Sequence, residues 1–391
     1  MLGRILVAEN RKGGLGMADE FFDEMTEQSR VKVTMVSKYF RPWSQIIANQ
    51  TGFQGLMAYV DLYAGPGGYE DGTPSTPLYV VEEAIANPKL HSRLQIVFND
   101  ADNDQVATLQ DRVTALPGIG ALRHRPQFLN LRVEDITHEL DAVAPLPKLS
   151  FIDPFGFKGV DLDLLRWALA ERGSDCLFFL NYMTLNRFLT AEELRACATG
   201  LFGQVGLADL RSEVNGSAPP DRESAVMDHL ELALRAHGAR YFLPFRFTTD
   251  TGTRAKQFLI HLTKNPTAHR IMKEIMAKES SSTAQGVASL EHNPAEERQM
   301  ALLEVERPLD TLKTDLLTAF ACQSLTFESV IASFERRGRT RYTQANYRRA
   351  VLELVHANKV KATRPSGENI RPGTLPKDVV IHFPPDEEPD G

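Results

Sequence analysis

The polar stretch 18–50 has a helical period and ends in SKYFRPWSQIIAN, where Tyr39, Phe40, Trp43 and Ile47 fall on one apolar face. Short apolar runs then alternate with amphipathic ones. MAYVDLYA reads as a buried strand, and TPLYVVEEAIANP as a helix with Thr76 at the N-cap and Pro77 in the first helical position. RLQIVF is a second strand, followed by helical DNDQVATLQDRVTAL, which Asp102 or Asn103 caps. PQFLNL is a short third strand before a helix at VEDITHELDAV. KLSFID is a fourth strand before a helix at DLDLLRWALAER, and DCLFFLNY is a fifth strand. This alternation predicts a parallel α/β sheet with helices on both faces.

The pattern changes after a helical insertion at 188–238. RYFLPFRFTTD and TRAKQFLIHLT read as two strands joined by a turn at Thr251-Gly252. Five alternating strands closed by an antiparallel hairpin form the layout of a Rossmann-like class I methyltransferase sheet. A dinucleotide-binding sheet continues instead with a parallel sixth strand. KNPTAHRIMKEIMAK is helical, and the small, polar residues after it read as a linker. The expected organisation is a helical segment 1–50, a Rossmann domain 51–278, a linker 279–305, a C-terminal domain 306–385 and an acidic tail 386–391.

Composition alters little in this picture. The 391 residues are 42% hydrophobic and 24% charged, with a net charge of −7, which is ordinary for a globular protein. No apolar run approaches the roughly 18–20 residues of a membrane span. The N-terminal apolar stretch is too short for a signal peptide. Cys176, Cys197 and Cys322 are odd in number and lack metal-ligand spacing, so a reduced cytoplasmic protein without structural zinc is expected.

The candidate chemistry clusters at strand ends. In YVDLYAGPGGYEDG, Gly65, Gly67 and Gly68 follow the first strand, where a backbone turn can approach a cofactor closely. Glu70 stands where the third glycine of GxGxxG belongs, and no Gly-Lys-Ser/Thr follows, which excludes a P-loop. A plain strand-to-helix turn is the alternative. Asp61 lies inside the strand, and a buried carboxylate needs a partner; the cationic amino group of S-adenosylmethionine (SAM) supplies one. Asp100 follows the second strand, placed to accept ribose hydroxyls, with Ala101 beside it and Asn130 at the adenine edge. Tyr63 completes the cofactor set. Asp100, Asp102 and Asp104 alternate like a calcium loop, but Gln105 and Asp111 occupy the positions that need glycine and glutamate. The YEDG extension is either a lid or a longer turn.

At the fourth strand, FIDPFGF places Asp153, Pro154, Phe155 and Gly156 where class I enzymes receive the acceptor. In the Asp/Asn-Pro-Pro-Tyr/Phe motif of base amino-methyltransferases, acid and carbonyl accept from an exocyclic amine while an aromatic ring stacks on the base. Phe155 replaces the second proline here, Gly156 stands at the aromatic position, and Phe157 is a substitute stacking ring; a structural turn is the alternative. Asn181 and Arg187 after the fifth strand are candidate contacts for an anionic substrate. His261 reads as a packed strand residue.

SKYFRPW, YVDLYAGPGG, FNDAD, FIDPFG and QFLIHLTKNPTAHRIMKEIM occur in this order across roughly residues 36 to 278. In these pieces the chain resembles the three-Cys-motif partner (TcmP) family of bacterial proteins. The resemblance implies a SAM-methyltransferase-like core and a partner that is radical-SAM-like and itself carries the three cysteines. It leaves the substrate open.

The C-terminal part reads as three short helices, LDTLKTDLLTAF, TFESVIASFERRG and TQANYRRAVLELVHAN, followed by a β-ribbon at KVKATRP and DVVIHFP. That is a winged helix-turn-helix pattern. Thr343 caps the third helix, and its exposed face is expected to show Asn346, Arg348 and Arg349. Residues 336–377 hold eleven basic against two acidic residues. Arg341, Lys359 and Lys361 join the helix residues as candidate nucleic-acid contacts; protein docking is the alternative. The leading expectation is a SAM-dependent methyltransferase acting on nucleic acid at a base nitrogen. Its rivals are a non-catalytic module serving the radical-SAM-like partner and a metal-dependent nuclease using Asp61, Asp100 and Asp153.

Overall fold

The computed structural model describes residues 25–50, 55–154, 159–190, 195–252, 254–295, 306–366, 368 and 373–385. The chain divides into two compact units, one up to residue 247 together with 254–271, the other formed by 248–253 and 272–391. Phe155, Gly156 and Phe157, the first 24 residues, 296–305 and the acidic tail 386–391 lie outside the described residues.

The first unit is built on seven strands: β1 (Met57–Asp61), β2 (Leu94–Asn99), β3 (Gln127–Leu129), β4 (Lys148–Ile152), β5 (Asp175–Leu180), β6 (Tyr241–Thr248) and β7 (Ala255–Thr263). They run in the order β3-β2-β1-β4-β5-β7-β6. The first five are mutually parallel, and β7 lies antiparallel to β5. β1, β4 and β5 are buried along their whole length. That is why their sequences are largely apolar with no polar-out alternation, as parallel strands covered on both faces require.

The helices of this unit are α1 (Glu27–Asn49), α2 (Thr76–Ala86), α3 (Asn103–Thr114), α4 (Leu162–Leu169), α5 (Tyr182–Thr190), α6 (Arg195–Val214) and α7 (Pro219–Ala236). Thr26 caps α1 by accepting from the Ser29 amide. On α2 the cap falls one residue earlier than the sequence suggests: Ser75 is the N-cap and Thr76 is already helical. Asp102 caps α3 by accepting from the amides of Asp104 and Gln105, the first of the two caps the sequence offers. The helix expected at 133–143 is instead two 3-10 turns, Val133–Asp135 and Thr137–Leu140. Val133, Ile136, Leu140 and Val143 still reach the core. Their spacings of three, four and three suit an α-helical face as well as successive 3-10 turns, and β-branched Val133 and Ile136 weaken the α alternative.

Beside β5, Tyr39 donates to Asp175 Oδ2 at 2.6 Å, and the Thr263 hydroxyl also bonds this carboxylate. Burial outweighs these bonds and pushes the Asp175 carboxyl up to about 6. The folded state therefore holds this proton more tightly than the unfolded chain. The resulting stability is complete below the unfolded value near 4 and is lost as pH rises through 6. Asp175→Asn is expected to remove that slope, worth about 2–3 kcal/mol, in urea titrations from pH 4 to 7. A slope unchanged in the variant would refute the assignment.

After β7 the chain forms α8 (Pro266–Lys278), and the second unit holds α9 (Pro308–Phe320), α10 (Phe327–Glu335) and α11 (Gln344–His356), which share a core with a three-stranded antiparallel sheet. The sheet consists of β11 (Ser324–Thr326), β12 (Lys361–Thr363) and β13 (Val380–His382) in the order β11-β13-β12. The residues expected to be a linker are partly folded. β8 (Thr283–Ala284) and β9 (Val287–Ala288) form a hairpin whose turn residues Gln285 and Gly286 both have positive φ, 48° and 74°, and the short strand β10 (Glu291–His292) follows. Val287 is buried in the core of this unit. The overlooked signal was a two-residue turn ending in glycine, Gln285-Gly286, between the short pairs Thr283-Ala284 and Val287-Ala288.

Candidate active site

β1 is flanked in register by β2 and β4, so Asp61 lies opposite Phe98 on one side and Phe151 on the other. Asp100 and Asp153 stand two residues beyond those partners and flank Tyr63 at the carboxyl edge. Strand order reverses here, and open α/β sheets take ligands in such a crevice. Buried Asn99 locks the edge: its amide donates to the carbonyls of Leu62 and Leu131, and its oxygen accepts from the Leu131 amide.

The glycine turn is anchored to these tips. Gly65 and Gly67 adopt φ of 59° and 82°. The Gly65 amide donates to Asp100 Oδ2 at 3.0 Å, while Asp100 Oδ1 accepts from the Asp102 amide at 3.0 Å. Arg112 braces the turn through the Pro66 carbonyl at 3.0 Å. The YEDG extension is a closed turn, whose Tyr69 lines the same cavity as Asp61: Gly68 bridges Pro74, and the Tyr69 amide donates to the Thr73 carbonyl.

A Cβ on Gly67 would meet Leu109 Cδ1 at 2.6 Å, whereas one on Gly72, at φ 84°, would meet nothing within 4 Å. Gly72→Ala is therefore expected to cost only the left-handed strain, about 1 kcal/mol. Gly67→Ala should cost at least about 1 kcal/mol more, because buried Leu109 must move. Equal urea midpoints for the two variants would refute this packing.

Asp61 is 1% exposed. Oδ1 accepts from the Tyr63 amide at 3.3 Å and Oδ2 from the Tyr59 hydroxyl at 3.4 Å. Burial drives its carboxyl well above the usual carboxylate range; the Tyr63 bond opposes this, and the charges of Asp153 and Asp100 add to it. Burial likewise raises Asp100, against the amides of Asp102 and Gly65. Burial, with Glu134 nearby, pushes the Tyr63 phenol up, so it stays a neutral donor.

Asp153 has a partner that the sequence reading missed. Lys32 of α1 donates to Asp153 Oδ2 at 2.5 Å and lies 4.2 Å from the centre of the Phe179 ring. Asp61, Tyr63, Gly65, Asp153 and Pro154 line one cavity of about 360 Å³, together with Lys32, Asn181, Lys256 and Gln257. Gly67, Asp100, Ala101 and Asn130 are not among its lining residues. Asn130 is exposed and donates to the Asp100 carbonyl at 3.0 Å, tying the β2 and β3 tips together. Arg187 is exposed and outside the lining, and His261 is fully buried with both ring nitrogens unpaired. Among the described residues no group of three or more acids, histidines or cysteines is placed to hold a metal ion.

The expected nucleic-acid face of the second unit is only partly open. Asn346 is buried, not exposed: it completes a capping box with Thr343 and donates to the Gly286 carbonyl at 2.8 Å. Arg349 donates to the Gln285 carbonyl and to Glu353, both at 2.9 Å, and Arg341 pairs with Glu306 at 2.9 Å. The β8–β9 hairpin thus occupies the start of α11. Arg348, Lys359 and Lys361 are exposed.

No family model and no curated protein matches the chain. Solved structures match at low similarity. A putative rRNA-methylase from Clostridium thermocellum is 12% identical, covering 57% of this chain and 96% of that one, with a TM-score of 0.28. The plantazolicin methyltransferase BamL, in complex with a triazolic desmethylPZN analog and SAH, is 11% identical over 66% and 91%, with a TM-score of 0.31. The glycopeptide N-methyltransferase MtfA complexed with sinefungin is 12% identical over 57% and 85%, with a TM-score of 0.29. Likenesses this distant assign no activity. No helix among the described residues is long and apolar enough to cross a membrane.

Proposed function

We propose that the first unit binds SAM at the carboxyl edge of β1 and β2 and methylates a base nitrogen in nucleic acid. The observation that carries this is Asp61, a carboxylate with 1% exposure beside a glycine turn and with only two long hydrogen bonds. An unpaired buried carboxylate costs several kcal/mol, and the ammonium of an amino-acid ligand removes that cost. Gly65 and Gly67 let the backbone approach the ligand. Asp100 has a lone pair left for a ribose hydroxyl after its three amide bonds, and Asn130 keeps its oxygen free for an adenine amine. When bound, SAM supplies an electrophilic methyl group on its sulfonium. Asp153 Oδ1 and the Pro154 carbonyl remain to accept from an acceptor amine and orient its lone pair. Arg348, Lys359 and Lys361 supply phosphate contacts in a winged-helix second unit.

Titration calorimetry with SAM and S-adenosylhomocysteine tests the first step, and methyl transfer from labelled SAM to DNA, tRNA or total RNA tests the second. Ligand at about 100 times its dissociation constant should add ~2.7 kcal/mol of stability. Absence of binding ends this reading. A second reading is favoured by the Lys32–Asp153 pair, which already occupies one oxygen of the acceptor acid. In it, a SAM-binding but non-catalytic module carries a three-Cys-motif radical-SAM-like partner to nucleic acid. Binding without turnover on any of those substrates is its signature.

A further inference from the structure

Three side chains that line the cavity keep hydrogen-bond donors with no partner among the described residues, and the pairing of Leu180 with Phe258 sets Asn181 beside Gln257. Lys32 and Asp153 neutralise each other at 2.5 Å. Lys256, near the start of β7, lines the same cavity, is exposed and pairs with no acid among the described residues. Its neighbour Gln257 has its side-chain oxygen taken by the Gln28 amide, which leaves the Gln257 NH₂ free. Asn181, at the β5 tip, has its oxygen taken by the Thr184 amide at 3.0 Å, which leaves its NH₂ free. One ammonium and two carboxamide NH₂ groups with their own oxygens already engaged favour an anion over a neutral ligand. An amine acceptor alone offers them nothing.

We infer that the acceptor is a phosphate-bearing nucleotide unit whose phosphate is held by Lys256, Gln257 and Asn181 while its base amine meets Asp153. The inference rests on the methyltransferase reading, because it assigns Asp61 and the glycine turn to the cofactor. The phosphate belongs either to a free nucleotide or to a strand.

The full chain, saturated with S-adenosylhomocysteine, is titrated calorimetrically with the four ribonucleosides, their 5′-monophosphates, and short mixed-sequence DNA and RNA. For at least one base, the phosphorylated probe should bind about tenfold tighter than the nucleoside. Lys256→Met should abolish that gap while leaving nucleoside affinity unchanged, and added salt should narrow it in the wild type. Preference for the monophosphate identifies a free nucleotide, and preference for the oligomers identifies a strand. Equal affinity for nucleoside and phosphorylated probe, a gap that survives Lys256→Met, or no probe bound at millimolar concentration overturns the inference with the cofactor reading intact. Failure to bind S-adenosylhomocysteine overturns the cofactor reading itself, and the inference with it.

Discussion

Asp61→Asn is expected to abolish the thermal shift produced by S-adenosylhomocysteine while leaving the free protein at least as stable as the wild type. The two effects have one cause. In the free protein the Asp61 carboxylate is buried and raised well above its ordinary range, chiefly by desolvation. Asparagine keeps an acceptor for the Tyr63 amide and removes the penalty of ionising a buried acid. In the complex the same change strips the ligand's ammonium of its counter-charge, a loss of about 3 kcal/mol or roughly 100-fold in affinity. The pH dependence has a definite sign. Ligand binding favours the carboxylate, so affinity rises with pH up to the raised value of the free protein and is flat beyond it. Asp61→Asn should show no such rise. Calorimetry across pH 5 to 8 checks both statements. Wild-type affinity that is independent of pH, together with an unaltered variant, would show that Asp61 does not meet the cation.

The frame of this site is legible in the sequence because the features that build it are local. Buried parallel strands read as apolar runs, and the acids at their ends interrupt those runs at Asp61, Asp100 and Asp153. Asp102 and Thr343 precede amphipathic stretches and cap them as caps should. Less legible were positions whose fate depends on distant segments. Asn346 sits three residues after Thr343, where a capping box consumes its side chain; facing solvent was the wrong expectation for it. The pairing of Arg349 with the Gln285 carbonyl requires the β8–β9 hairpin, which a composition-based linker assignment hides. Asn99 clamps three strand ends with one carboxamide, and nothing in FNDAD distinguishes that role from a turn residue.

Lys32 is the case with the largest consequence for stability, and a signal for it was present. On α1, Ser29, Lys32, Val36, Tyr39, Trp43 and Ile47 are all buried at helical spacing, so the lysine falls on the apolar face. A lysine there needs an acid from elsewhere in the fold, and Asp153 supplies it. Lys32→Met is expected to destabilise the protein by about 2–3 kcal/mol, because it leaves Asp153 largely buried without its counter-charge. Complete burial would cost more, but the Asp153 side chain keeps 21% of its exposure. In a unit of this size the melting temperature should fall by roughly 5–10 °C. Lys32→Met combined with Asp153→Asn should recover most of the loss, since a neutral pair of similar volume carries no desolvation penalty. The cycle separates the ion pair from mere packing on Phe179: if packing were the cause, the double variant would be no more stable than Lys32→Met alone. Cofactor binding gives an independent readout. Because Lys32 acts on the acceptor acid and not on Asp61, S-adenosylhomocysteine affinity should remain within about threefold of wild type in both variants, below the ~1 kcal/mol expected of a lost direct hydrogen bond. A larger loss would move Lys32 from the acceptor end of the cavity to the cofactor end.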